Sequence, residues 1–380
     1  STIQGVVKRD RAGAEGATTF NSNLFRPSNY VGLHPQLVAY DVTRDEGVVV
    51  GSNAPGQQIV APGGVKTSTW YMGDLAANLT TGKEFTIVAT PVEFGGSNLM
   101  PADKVKQGAK SLVGSLVVEP LGSTWVEDMQ VFDHQTGTGT RATRAQAKLN
   151  GDTARDFSIV LTKGNTHYYR DSSPVEHING EGVGIPEDSQ EASGMLLNYG
   201  IEPAWFRFGL VPQAPFGNTP GGYGAVPNAG DYYSNTLAVP GVGGQQGDPV
   251  TPVLQAKAGQ ETRIHLTNPY GTTRGSTFTL HGHVWQRDPY VCPGEARNTL
   301  TGACNMASVG SRALGVNPQA FAQGGQESWN APSHFDVFLP GAGGWPAAGG
   351  DGAVAGDYLF RDHASFGNAS GVWGIMRVAP

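Results

Sequence analysis

Short apolar runs of alternating or β-branched character recur along the chain: LVAYDV, STWYM, FTIVATPVEF, LVGSLVVEP, FSIVLT, MLLNYG, TRIHLTN, TFTLHGHVW, HFDVFL, YLFRDH and VWGIMRV. Each is bounded by clusters of Gly, Pro, Asn or Asp, residues that supply the backbone conformations in which a strand turns. The pattern predicts an all-β fold of short strands joined by many turns, as in a β-sandwich. Helical periodicity is scarce, and residues 102–111 (ADKVKQGAKS) are the best candidate for a short helix or a loop.

A strand that runs into Glu119-Pro120 meets a natural stop, because proline disfavours continuation, and the following stretch is polar and rich in turn formers. The expected organisation is an N-terminal domain over 1–122, a linker or hairpin over 123–149, and a C-terminal domain over 150–380. Within the last, the Gly/Pro-rich stretch 212–246 offers little that packs as a core and reads as a long surface excursion.

Composition agrees with this pattern. Gly 55 and Pro 25 in 380 residues, with 15% charged residues, describe a chain that turns often and exclude a helical bundle. The net charge of −7 and the scattered Lys and Arg residues leave no basic patch for nucleic acid or an anionic membrane. No apolar run is long enough to cross a bilayer as a helix, so no membrane insertion is expected. The opening STIQGVVKRD lacks the apolar core of a signal peptide, which places the expected start of the numbering after processing.

Two cysteines, Cys292 and Cys304, lie in YVCPGEARNTLTGACN with no His beside them and without the CxxC spacing of a redox pair. A disulfide is the expected state. Closing so short a loop stabilises a fold by about 3 kcal/mol in the chain-entropy model and persists in an oxidising compartment, so an extracellular or periplasmic location is expected.

Metal chemistry asks for imidazoles that converge. In TFTLHGHVW an extended strand would place His281 and His283 on one face. STFTLHGHVWQ resembles the third copper motif of multicopper oxidases, and GDYLFRDHASFGNASGVWGIMRV resembles their C-terminal strand-loop-strand. VAPGGVKTSTWYM and KSLVGSLVVEP resemble strands of their N-terminal cupredoxin domain. The resemblance implies two cupredoxin-like Greek-key β-sandwich or barrel domains with long Gly/Pro-rich loops.

It also implies losses. Ser276, Asp362 and Gly367 stand where such oxidases carry the His, Cys and His of the type 1 copper, and Val372 stands near the axial position. A blue-copper centre requires its thiolate, so the usual electron uptake is not expected here. Thr279 and Arg361 replace two histidines of the trinuclear cluster, and Gly32 replaces the first ligand of an HxH motif. His34, His281 and His363 occupy retained positions, which the family's geometry brings together between the domains.

Two readings follow. Either these three histidines hold one copper ion, or a zinc ion, with His283, Glu93 and Met72 as secondary candidates, in a redox or copper-handling role. Or the rings are hydrogen-bonded remnants, and the chain is a metal-free structural module. Its partner would then be another protein, the remainder of a longer precursor, or a second copy of itself.

Overall fold

The computed structural model describes residues 28–79, 85–103, 107–108, 112–127, 143–149, 152–163, 168–170, 176–178, 195–198, 233, 253–271, 275–290, 292, 294, 297–301, 304–305, 310–313, 317, 319–341, 345–363 and 371–380. The excursion expected at 212–246 lies outside them apart from residue 233, as do Gly367 and most of the helical candidate at 102–111.

Almost every regular element is a strand, as the sequence pattern predicts. The N-terminal part contributes β1 (Leu33–Pro35), β2 (Ala39–Tyr40), one helical turn α1 (Pro55–Gln58), β3 (Trp70–Tyr71), β4 (Gly73–Leu79), β5 (Phe85–Pro91), β6 (Gly95–Pro101) and β7 (Gly114–Val118). There follow β8 (Thr124–Glu127), β9 (Thr143–Leu149), β10 (Asp152–Thr162), β11 (Tyr168–Arg170), β12 (Glu176–Ile178) and β13 (Leu196–Leu197). The remainder is β14 (Val253–Lys257), β15 (Thr262–Tyr270), β16 (Phe278–Leu280), β17 (Trp285–Gln286), β18 (Ala322–Gln323), β19 (Gly325–Gln326), β20 (His334–Leu339), β21 (Gly356–Asp362) and β22 (Trp373–Ala379).

Two sheets form the sandwich. One runs β20-β15-β10-β9-β8, with β13 also on β10; the other runs β14-β22-β21-β16-β19. Strand periodicity puts every second side chain on one face, and Phe157, Ile159 and Leu161 of β10, Ile264 and Leu266 of β15, and Val337 and Leu339 of β20 all point into one core. Phe278 and Leu280 of β16, Phe360 of β21, and Met376 and Val378 of β22 meet them from the facing sheet, together with Trp285 and Trp329. Each such side chain contributes about 1.5–3 kcal/mol through burial. The stretch expected as linker or hairpin carries β8 and β9, which pair with each other and extend the sheet from β10.

The intervening residues of the first sheet have the opposite character. Asp156 on β10, Arg263 and His265 on β15, and Asp336 on β20 share its other face, aligned by the pairings Asp156↔Arg263 and His265↔Asp336. That face is not left to solvent. The sheet β1-β6-β7 packs over it, and Asp156, Arg263 and His265 are all 2% exposed or less. Contact this close needs bare backbone: a Cβ on Gly95 would lie 2.1 Å from Asp336 Oδ2, and one on Gly96 2.9 Å from His265 Cβ. Gly96 N–H instead donates to Asp336 Oδ1 at 2.9 Å.

A second, small apolar cluster of Val92, Phe94 and Val118 packs against Tyr290 and Cys304. Cys304 is disulfide-bonded to Cys292, the pairing expected from the sequence. The N-terminal strands are thereby tied to the disulfide-bearing loop as well as to the sheet.

Candidate functional site

The positions that the sequence resemblance assigns to a type 1 copper come together, but with other chemistry. Phe278↔Asp362 and Thr279↔Arg361 are cross-strand partners of β16 and β21, which brings Ser276 to the buried end of the pair. Ser276 Oγ donates to Asp362 Oδ2 at 2.7 Å, Thr277 N–H donates to Asp362 Oδ1 at 3.0 Å, and Asp362 N–H donates to the Val372 carbonyl. Ser276, Asp362 and Val372 are all buried. A hydroxyl and a carboxylate that satisfy each other fill the place of imidazole and thiolate, so a type 1 copper does not fit these residues.

One of the cluster positions is similarly closed. A Cβ on Gly32 would stand 2.0 Å from the Gly47 carbonyl oxygen, so backbone occupies the space a ligating side chain would need there. With Gly32, Thr279 and Arg361 in ligand positions, these residues do not fit a trinuclear copper cluster.

The sequence-nominated histidines are placed as follows. His34 lies on β1, and its Nδ1 bonds the Glu46 carbonyl at 3.1 Å. His281 and His363 are both exposed. Burial, then the Arg361 guanidinium, then His363 itself push the His281 pKa below its ordinary value, so these two rings lie within electrostatic reach of each other with a cation beside them. Met72 is exposed at the end of β3.

His283 departs from the expected one-faced HxH strand. β16 ends at Leu280 and the chain turns at His281 and Gly282, which leaves His281 outside and His283 inside at 3% exposure. His283 Nδ1–H donates to the His281 carbonyl at 2.9 Å, and Nε2 accepts from Gly349 N–H at 3.0 Å. With both nitrogens engaged, the ring is a neutral pin, and burial holds its pKa below the usual imidazole value.

Glu93 belongs to a larger constellation on the polar face of the first sheet. Its Oε1 accepts from Arg263 Nη1 at 2.6 Å, and the same nitrogen reaches Glu119 Oε2 at 2.9 Å. Glu261 holds Arg263 Nε at 3.2 Å. Burial raises the Glu93 pKa, and the Arg263 charge opposes that rise.

At the centre lies His265, fully buried. Its Nδ1–H donates to Asp336 Oδ1, and its Nε2 lies 3.1 Å from Asp156 Oδ1 and 3.3 Å from Glu119 Oε1. Burial alone would disfavour the charged ring, but Asp156 and Asp336 outweigh it and hold its pKa well above the usual value. Among the described residues, Glu119, Asp156 and His265 are the set of three or more His, Cys, Asp or Glu whose ligand atoms all lie within 4.8 Å of one another; His34, His281 and His363 are not part of it. Sequence reasoning missed this cluster. The signal was TRIHLTN itself, in which Arg and His alternate with Ile and Leu.

Asp336 also lines a cavity of about 440 Å³ together with Phe94, Tyr290, Arg312, His334 and Phe335. Burial pushes the His334 pKa down, and Asp336 partly offsets this. Arg312 is held by Asp74 and stacks over Phe94 at 5.3 Å. The cavity therefore combines aromatic walls with paired charges at the seam between the N-terminal strands and the main sheet.

No protein-family model matches the chain, and no curated protein does either. Among solved structures, it is similar to one described as a multicopper oxidase, at 13% identity and a TM-score of 0.38, covering 92% of this chain and 71% of that one. It is also similar to the blue copper oxidase from Nitrosomonas europaea, at 10% identity and a TM-score of 0.35, covering 92% and 68%. The copper nitrite reductase from Nitrosomonas europaea follows at 11% identity and a TM-score of 0.34, covering 93% and 76%.

Proposed function

We propose that the chain is a secreted or periplasmic, copper-protein-like β-sandwich that acts as a non-redox module, working through association with a second copy of itself. The Ser276–Asp362 hydrogen bond carries this reading. It fills the positions where the resembling oxidases hold a histidine and the thiolate of their electron-accepting copper, and both cysteines of the chain are committed to a disulfide. Association is supported by the β4–β5 ribbon, in which Leu75, Ile87 and Val88 are exposed and the pairs Leu75↔Ala89 and Ala77↔Ile87 line one apolar face.

The test has two parts. Copper(II)-loaded protein is expected to lack an intense blue thiolate band and to leave phenolic donors unoxidised in air; a blue band or copper-dependent oxidation would overturn the non-redox reading. Light scattering is expected to give a particle heavier than the 39.8 kDa chain, reduced to monomer by Ile87→Lys. A monodisperse wild-type monomer would count against association.

A second reading is one copper ion held by His281 and His363 alone, supported by the mutual electrostatic influence of these two exposed rings; among the described residues, His34 does not share a ligand set with them. It requires His281→Ala to abolish copper loading. Undiminished loading in that variant would remove it.

A further inference from the structure

The group of Glu119, Asp156 and His265 is more than a collection of acidic residues. Asp156 and His265 are both 0% exposed. Both oxygens of Asp156 and Oε1 of Glu119 are buried with no well-aligned hydrogen-bond donor, and the one group facing them, Nε2 of His265, stands 3.1 Å from Asp156 and 3.3 Å from Glu119. Buried polar atoms are nearly always paired, and leaving several aimed at one point is costly.

An ion offers the missing partner. With metal–nitrogen and metal–oxygen bonds of about 2.0–2.1 Å and tetrahedral angles, neighbouring donor atoms stand about 3.3 Å apart, close to the two spacings found here. The supporting contacts agree. Asp336 accepts from Nδ1–H and so aims Nε2 at the carboxylates, the usual arrangement behind a ligating histidine; an ion bound there would take the place of the Nε2 proton of the charged ring. Arg263 holds Oε2 of Glu119, which leaves Oε1 to face the centre. Charge points the same way, since five carboxylates (Glu93, Glu119, Asp156, Glu261 and Asp336) share the network with one guanidinium and one imidazole.

We infer that Glu119 Oε1, Asp156 and His265 Nε2 form a structural site for a divalent first-row transition ion, which clamps the end of β7 to β10 and β15. One imidazole and two carboxylates suit Zn²⁺ or Mn²⁺ better than a soft cation. This site is separate from the copper positions considered above and does not depend on the non-redox reading.

The experiment strips the full-length protein with a chelator, reloads it with Zn²⁺, and measures bound zinc by elemental analysis and the melting temperature with and without the ion. Wild type is expected to retain about one equivalent and to melt several degrees higher when loaded. Glu119→Gln, at the least buried of the three ligands, is expected to weaken zinc binding at least tenfold. Asp156→Asn serves as the stricter variant, and circular dichroism establishes that each is folded. The double variant His281→Ala/His363→Ala is expected to bind zinc as wild type does. A folded wild type that binds no zinc, or zinc bound equally well by folded Glu119→Gln and Asp156→Asn, would overturn the inference, as would loss of zinc in the double histidine variant alone.

Discussion

His283→Leu tests whether that histidine is a neutral pin. The substitution removes the acceptor of the buried Gly349 N–H and the donor to the His281 carbonyl. His281 is exposed, so water can replace the second bond, whereas Gly349 is buried and keeps an unpaired donor. Such a group costs about 1–3 kcal/mol, which sets the expected loss of stability near neutral pH. The pH dependence supplies a sharper check. Because burial lowers the folded-state pKa of His283, the unfolded chain takes up a proton first as pH falls below about 6.5, and the stability contributed by the neutral ring declines by up to about 1.4 kcal/mol per pH unit until the folded pKa is reached. Leucine has no such dependence. Urea unfolding of both proteins over the weakly acidic to neutral range should therefore give a deficit that is largest above about pH 6.5 and shrinks on acidification. His281 and His334, whose pKa values are also lowered, remain in both proteins and cancel in the difference. A deficit that stays constant or widens as pH falls would refute the neutral-pin account.

Arg263→Met should cost about 3–5 kcal/mol in chemical unfolding, because it leaves Glu93 as a buried charge without its partner; adding Glu93→Leu should recover a large part, and no recovery would show the pair is not coupled. Gly95→Ala should destabilise by about 2 kcal/mol or more, since φ is +69° there and the new Cβ would meet Asp336, and a melting temperature equal to wild type would contradict the close packing of β6. Replacing Cys292 and Cys304 together with Ser should cost about 3 kcal/mol by equilibrium unfolding under non-reducing conditions, given a sequence separation of 12; the variant and the reduced wild type should then agree.

Much of the fold was legible from periodicity. FSIVLT, TRIHLTN and HFDVFL became parts of β10, β15 and β20, and YLFRDH and VWGIMRV became parts of β21 and β22, because alternating bulky residues can bury only one face of an extended strand. STWYM and LVAYDV gave less, with only two residues of each pairing in β3 and β2. The His265 cluster was not legible. Alternation identifies the polar side of a strand but not what covers it, and here the cover comes from β6, far away in sequence. The HxH pattern misled for a local reason: the turn at His281 and Gly282 ends the two-residue repeat, so one ring goes to solvent and the other to the interior.

The glycine pair beneath Asp336 has an evolutionary consequence. Gly95 and Gly96 leave room for the Asp336 carboxylate and for the Cβ of residue 265, and Asp336 in turn holds the His265 ring, so drift at any of these positions is constrained by the others. A recombination joining these N-terminal strands to the sheet of a different ancestor would pair a notch with no matching key. Natural variants are accordingly expected to keep the four residues as a single inherited unit.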